Sequence, residues 1–185
     1  MRLERLEEEF GPQVAVTWKS YLLRPHPEPK SLEAFRRYTK SWLNPASQPG
    51  AGRFTVWSTE EPPPSHSIPP NVAGKAAARQ GVDAFKRFHH ALLDAYFYAN
   101  RNITETENLV RIASEVNLDL DAFRTALADP VLQEAVVSDH KEALGVGVQG
   151  VPTVIIDERW KIVGAQDLEI YRQVIGKRLR GELLA

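Results

Sequence analysis

The most informative short segment for chemistry is Gly150-Val151-Pro152-Thr153, in which a proline opens a run of β-branched residues. Proline has no backbone N–H, so at the first position of a strand it donates nothing to the ladder. In the cis form it would make a sharp corner that exposes the backbone before it, whereas the commoner trans form would simply start a strand. The residues alone leave both isomers open.

Cysteine, the residue that most often carries redox and thiolate chemistry, does not occur in this chain. A disulfide framework, a thiolate metal site, a cysteine nucleophile and dithiol exchange are therefore excluded for this chain acting alone.

Two other patterns suggest chemistry but fail on context. Residues 145–150 match G-x-G-x-x-G, yet a dinucleotide site needs a strand before the glycines and a helix after them. The periodicity here predicts the reverse order.

His90 and Asp94 are four residues apart on a predicted helix, as metal ligands would be, but no third ligand lies near in sequence. We therefore expect a solvated pair and no metal site.

Composition narrows the class of protein. The chain has 185 residues, with 23 Lys and Arg against 24 Asp and Glu, for a formal charge of −1. This balance gives no reason to expect nucleic acid or an anionic membrane as a partner. The apolar stretches are too short to span a bilayer, and the acidic first residues do not fit a secretory signal.

The elements that must position the segment follow from hydrophobic periodicity. The strongest pattern is an apolar stripe from Val82 to Phe97, and Thr104 with Glu107 suggests a capping box for the next helix. In chain order we predict a helix over 2–10, a strand over 13–18, a Pro-rich region with a helix from Ser31 to about Leu43, a long helical block from residue 71, a hairpin of strands 151–156 and 160–163 around a turn at 157–159, and a final helix from near Asp167.

Residues 145–166 and the helix after them resemble the C-terminal ββα half of a thioredoxin fold. With weaker matches over 91–104 and 118–130, the chain is similar to the DsbA-like thioredoxin proteins, in particular the cytosolic FrnE-type branch. The resemblance implies an α/β thioredoxin-like fold with a helical domain inserted between its βαβ and ββα halves. The thioredoxin-like domain would be discontinuous, over residues 1–30 and 148–185 with its first strand missing, and the helical insertion would span 31–147. A cytoplasmic location is implied as well.

The same resemblance implies membership of a thiol–disulfide oxidoreductase family. Gly150, Val151, Pro152 and Thr153 would form a substrate-binding cis-proline loop whose backbone pairs with the substrate chain. The partner would be a protein or peptide thiol or disulfide, or a small thiol, with no cofactor. A second copy of the chain is a further candidate partner. No catalytic residue can be assigned.

The chain departs from the family at its start. In the family, a strand and a C-x-x-C motif precede the helix that residues 2–10 resemble. That family strand lies in the sheet between the two strands that residues 13–18 and 152–157 resemble. We expect either that an upstream segment is missing from the reading frame, or that the two remaining strands pair with each other or with another chain. We favour the missing segment, since no substitute strand is apparent in the sequence. The chain as given is expected to be redox-inactive.

Two functions from other classes remain open. One is a glutathione-dependent isomerase of the 2-hydroxychromene-2-carboxylate type, in which a serine can replace the redox cysteine and glutathione is the cofactor. The other is a non-catalytic peptide-binding or chaperone-like module.

Overall fold

The structure is a computed structural model that describes residues 2–47 and 51–182. Over these ranges most of the regular structure is helical, and the strands form one two-stranded sheet. In chain order the elements are α1 (Arg2–Phe10), α2 (Leu32–Thr39), α3 (Leu43–Ala46), α4 (Ile68–Ala78), α5 (Val82–Phe97), α6 (Thr106–Glu115), α7 (Leu120–Leu127), α8 (Pro130–Gly145), β1 (Thr153–Ile156), β2 (Trp160–Val163) and α9 (Leu168–Leu179).

Within the described residues, contacts divide the chain into two units. One unit combines the two ends of the chain, up to Tyr21 and from Lys141 onward, and the other is Leu22–His140. The domains predicted from the sequence have their limits at 30/31 and 147/148, and that division stays a prediction. Residues 48–50 of the predicted insertion lie outside the described part. At the ends of the helical unit, the Leu22 N–H donates to Nδ1 of His140 at 3.3 Å.

The helical unit is built on the apolar stripe that the sequence predicts. Phe88 and Phe123, from α5 and α7, are fully buried and their rings lie 5.3 Å apart. Small residues of α4, among them Ala73 and Ala76, let the neighbouring helices approach closely. A second cluster contains the buried Phe35, Trp42 and Trp57, against which Tyr96 and Phe97 pack. These two tryptophans are therefore packing residues of the helical unit.

The sheet unit consists of α1, the β1–β2 hairpin and α9. The two strands are antiparallel, with Thr153 opposite Val163 and Ile156 opposite Trp160. Because side chains alternate across a strand, one face of the hairpin carries Val154, Ile156, Trp160 and Ile162 and the other carries Thr153, Ile155, Lys161 and Val163. The first face packs on α1 and α9, around the buried Leu6, Tyr171 and Ile175. The second face is more exposed, with Val163 61% and Ile155 39% accessible.

The predicted strand over residues 13–18 does not form. Gln13 ends a short 3-10 helix and residues 14–17 have no regular structure, although Val14 is extended and packs in the same cluster as Val154. Alternation is a local property, whereas a strand also needs a neighbour to complete its ladder. Here the Val16 N–H donates to a carboxylate oxygen of Glu7 at 3.0 Å instead.

The predicted capping box at Thr104 is wrong as well. α6 begins two residues later, at Thr106, with Glu105 at the N-cap and no side-chain hydrogen bond from it. The carboxamide oxygen of Asn102 accepts from both the Thr104 N–H and its hydroxyl, at 3.0 and 2.6 Å. The hydroxyl is therefore already engaged in a turn before the helix starts.

No helix in the described part of the chain is long and apolar enough to cross a bilayer.

Candidate functional site: the corner before strand β1

The chain reaches the corner through the glycine-rich segment that follows α8. α8 ends at Gly145, and the Val148 N–H donates back to the Ala143 carbonyl oxygen at 2.8 Å. Gly147 has a φ of +73°, a conformation that favours glycine, and the buried Val148 anchors the segment to the unit. A helix thus precedes these glycines and a strand follows them, which is the wrong order for a dinucleotide site.

The corner itself consists of Gly150, Val151, Pro152 and Thr153. The Val151–Pro152 peptide bond is cis. The Thr153 hydroxyl donates to the Gly150 carbonyl oxygen at 2.7 Å, which closes the corner on itself. Val151 is 50% exposed and Pro152 is exposed too, so the corner presents an apolar surface to solvent.

The backbone of Val151 is available to a ligand. Among the described residues, no hydrogen bond involves its N–H or its carbonyl oxygen. None of the four corner residues carries an ionisable side chain. A site of this kind offers backbone hydrogen bonds and apolar contact, which suits recognition of a polypeptide, and its one hydroxyl, that of Thr153, is engaged with Gly150.

Gly164 and Tyr171 support the corner from the other side of the hairpin. The Gly164 N–H donates to the Pro152 carbonyl oxygen at 2.8 Å, and the hydroxyl of the buried Tyr171 donates to the Gly164 carbonyl oxygen at 3.4 Å. Gly164 has a φ of +80°, which favours glycine. Neither residue is among the site residues expected from the sequence, although a glycine directly after a strand is a signal that points to such a turn.

The other candidates from the sequence do not assemble a site. Asp94 is engaged by Arg53, whose guanidinium lies 2.6 Å from its carboxylate and 4.0 Å from the centre of the Tyr98 ring. The hydrogen bond to Asp94 raises the pKa of Arg53. Over residues 2–47 and 51–182, no group of three or more His, Asp or Glu side chains is placed to hold a metal ion.

The sequence of the chain matches a known protein family. The profile of the DSBA-like thioredoxin domain matches residues 1–176. Among curated proteins, the ClpXP adapter protein SpxH of Bacillus subtilis is 28% identical over 150 residues, which cover 77% of this chain and 50% of that protein. The uncharacterized protein YwbO of the same organism is 26% identical, with 89% of this chain and 82% of that protein covered. The chain spans half or less of the length of the SpxH relatives that it matches.

Solved structures show the same fold. A putative protein disulfide isomerase from Nitrosomonas europaea matches with a TM-score of 0.79 at 14% identity, over 97% of this chain and 89% of that one. The cytosolic disulfide reductase DsbM from Pseudomonas aeruginosa matches with a TM-score of 0.70 at 19% identity, over 97% and 90% of the two chains. A second DsbM structure, determined with GSH, matches with a TM-score of 0.64 at 19% identity, over 85% and 81%.

Proposed function

Because the chain belongs to the DSBA-like thioredoxin domain family, we propose that it binds extended segments of protein thiol or disulfide substrates at the corner formed by Gly150, Val151, Pro152 and Thr153. The family is that of thiol–disulfide oxidoreductases. A cytoplasmic location belongs to the same proposal, and the fold match to a protein described as cytosolic supports it.

The proposal rests on two properties of Val151, its exposure and the hydrogen bonding of its backbone. Its side chain is half exposed and its backbone groups have no partner among the described residues. An extended polypeptide would pair with this backbone as an added strand would and lay an apolar side chain against Val151 and Pro152. The bound segment would then be held by its main chain, with little dependence on its sequence.

We propose further that this chain alone carries out no thiol–disulfide exchange. Exchange requires a thiolate that attacks a disulfide sulfur, displaces the second sulfur as a thiolate and leaves a mixed disulfide. The chain contains no cysteine. Its contribution is then binding without turnover, and the description of several relatives as adapter proteins supports a protein as the partner.

The test is a binding measurement with a matched pair of variants. The probe is a fluorescein-labelled, unfolded protein with carboxymethylated cysteines, and the readout is fluorescence anisotropy. Val151→Asp puts a charge where apolar contact is needed, so we expect about tenfold weaker binding, or ~1.4 kcal/mol. Val82→Asp is the control, because Val82 is 68% exposed at the start of α5 and belongs to the helical unit.

Equal weakening by both variants, or no change from either, would contradict binding at the corner. Both variants should keep the circular dichroism spectrum and the melting temperature of the parent chain, because both positions are exposed.

Glutathione is the second candidate ligand, under a glutathione-dependent isomerase function. A structural neighbour determined with GSH supports it. Calorimetric titration with glutathione separates the two proposals. A Kd below about 1 mM, with displacement of the labelled polypeptide, would favour the isomerase, and no measurable heat would favour polypeptide binding.

A further inference from the structure

Arg24, at the start of the helical unit, is a half-buried cation without an acidic partner. Its guanidinium donates from Nη1 to the Pro64 carbonyl oxygen at 2.9 Å. Over residues 2–47 and 51–182 no carboxylate forms an ion pair with it. The remaining guanidinium N–H groups are therefore available to an anionic ligand.

The backbone of Arg24 is held in place by the residue that precedes α4. The Arg24 N–H donates to the Ser67 hydroxyl oxygen at 3.0 Å, and the Ser67 N–H donates back to the Arg24 carbonyl oxygen at 2.8 Å. With the bond to Pro64, three hydrogen bonds fix this arginine. A guanidinium held in this way loses little further freedom when a ligand binds.

Two tyrosines lie beside this guanidinium. The Arg24 guanidinium carbon and the centre of the Tyr38 ring lie 6.0 and 5.8 Å from the centre of the Phe35 ring. Burial raises the pKa of the Tyr96 phenol, the positive charge of Arg24 lowers it, and the Tyr38 phenol raises it. Because such electrostatic effects decrease with distance, the Tyr96 phenol lies close to both groups.

The hydroxyls of Tyr38 and Tyr96 have no hydrogen-bond partner among the described residues. Tyr38 is 52% exposed. The Tyr96 ring packs on Trp42, with centres 5.0 Å apart. Its hydroxyl still reaches solvent, because the one fully buried, unpaired side-chain atom in the described part of the chain belongs to Asn100. Both hydroxyls can therefore donate to a ligand.

Lys30 adds a second positive charge. Its Nζ lies 5.6 Å from the centre of the Tyr38 ring, and within the described ranges no carboxylate pairs with it. The exposed Glu28 lies between the two cations in sequence and forms an ion pair with neither. This excess of positive charge beside two phenols favours a negatively charged ligand.

We propose that Arg24, Tyr38 and Tyr96 bind the carboxylate of a small organic acid. The planar guanidinium matches the two oxygens of a carboxylate, and the tyrosine hydroxyls donate to the same oxygens. The exposed ring of Tyr38 provides contact for an apolar part of the acid. The proposal does not depend on the proposed function, because it uses no residue of the corner.

An NMR titration tests the site in the unmodified chain. The probe is phenylpropionate, and the readout is the set of tyrosine ring signals in proton–carbon spectra. The Tyr38 and Tyr96 signals should shift and saturate below about 10 mM, while those of the buried Tyr171, in the sheet unit, should not. No saturation in this range would overturn the proposal.

Two further ligands define the chemistry of the site. Phenylpropionamide has the shape of the probe without its charge, so it should shift neither tyrosine. Inorganic phosphate should bind at least about tenfold more weakly, because it has no apolar part to lie on Tyr38. Equal shifts with the amide, or equal affinity for phosphate, would contradict a site for an organic carboxylate.

Arg24→Met and Arg87→Met form a matched pair of variants. Arg87, on α5, also donates to a backbone carbonyl oxygen, that of Val116 at 3.4 Å, and has no carboxylate partner among the described residues. Arg87 is nine residues from Tyr96, which is about 13 Å along the helix. Binding should weaken about tenfold or more in the first variant and stay unchanged in the second. Equal affinities would overturn the assignment.

Tyr96→Phe separates binding from folding. It keeps the packed ring and removes only the hydroxyl, so the melting temperature should be retained while affinity for phenylpropionate falls about threefold or more. Arg24→Lys should bind more tightly than Arg24→Met and less tightly than the parent chain, because it keeps the charge without the planar fork. Unchanged affinity in Tyr96→Phe would show that its hydroxyl does not touch the ligand and would overturn the proposed site.

Discussion

At the scale of single residues, the proposed binding depends on Val151, whose side chain is half exposed and whose backbone has no hydrogen-bond partner among the described residues. Gly150, Val151, Pro152 and Thr153 stand out in the sequence because they open the part of the chain that resembles the C-terminal half of a thioredoxin fold. The backbone groups of β1 that bond to β2 depend on the register of the two strands, and a shift of one residue would exchange them with the groups on the other side. Register depends on the pairing with β2 and on Gly164, so the sequence of the corner alone could not reveal it.

Tyr96 provides a prediction that depends on pH. Burial raises the pKa of its phenol from 10.0 to about 12. The unfolded chain ionises this group near pH 10 and the folded chain near pH 12, so the contribution to stability is complete below pH 10 and decreases as the pH rises between these values.

The free energy of unfolding, measured in urea at pH 9 and pH 11, should therefore fall less in Tyr96→Phe than in the parent chain. The other tyrosines occur in both proteins and cancel in the difference. Parallel losses in the two proteins would contradict the raised pKa.

At the scale of elements, the helices followed from sequence more faithfully than the strands. The stripe from Val82 to Phe97 is a local period, and α5 has these bounds. The alternation of side chains at Val14 and Val16 is equally regular, but among the described residues no strand pairs with this segment. Helix hydrogen bonds close within the segment, while a ladder depends on residues far away in sequence.

Gly164 gives a prediction for the hairpin. Its φ of +80° is costly for any residue with a Cβ, although an added Cβ would meet only Gln166, at an ordinary distance of 3.6 Å. Gly164→Ala should lower the free energy of unfolding by about 1–2 kcal/mol for conformational reasons alone.

The same substitution at Gly176, inside α9, is the control. An added Cβ there would approach only the movable end of the Arg180 side chain, and alanine favours a helix over glycine by about 0.5–1 kcal/mol. Gly176→Ala should thus be neutral or stabilising in the same urea titration. A loss as large as that of Gly164→Ala would show that the backbone angle at Gly164 is not the cause.

At the scale of the whole molecule, the family and fold were predictable because the hairpin, the corner and the last helix occur in a fixed order. The division into units was harder to predict, since its limits at Tyr21 and His140 lie in stretches with no break in composition. α8 continues across the second limit, from Pro130 to Gly145, so periodicity gives no sign of it.

The absence of cysteine leads to a prediction for the molecule as a whole. Insulin reduction by dithiothreitol, followed by chromatographic separation of the two insulin chains, should proceed at the same rate with and without this chain, because the chain supplies no thiolate. Heat-denatured chain at equal concentration is the control. A rate above that of dithiothreitol alone would refute the proposed lack of turnover.

The hydrogen bond between the Leu22 N–H and His140 has a consequence for how such a chain can be rebuilt. The helical unit begins at Leu22 and ends at His140, and this hydrogen bond joins the two residues. The unit is therefore an insertion whose ends are adjacent. Units with adjacent ends tolerate excision, replacement and circular permutation. We expect a linker of a few residues between Tyr21 and Lys141 to replace the helical unit. A different domain could then be inserted between the same two residues.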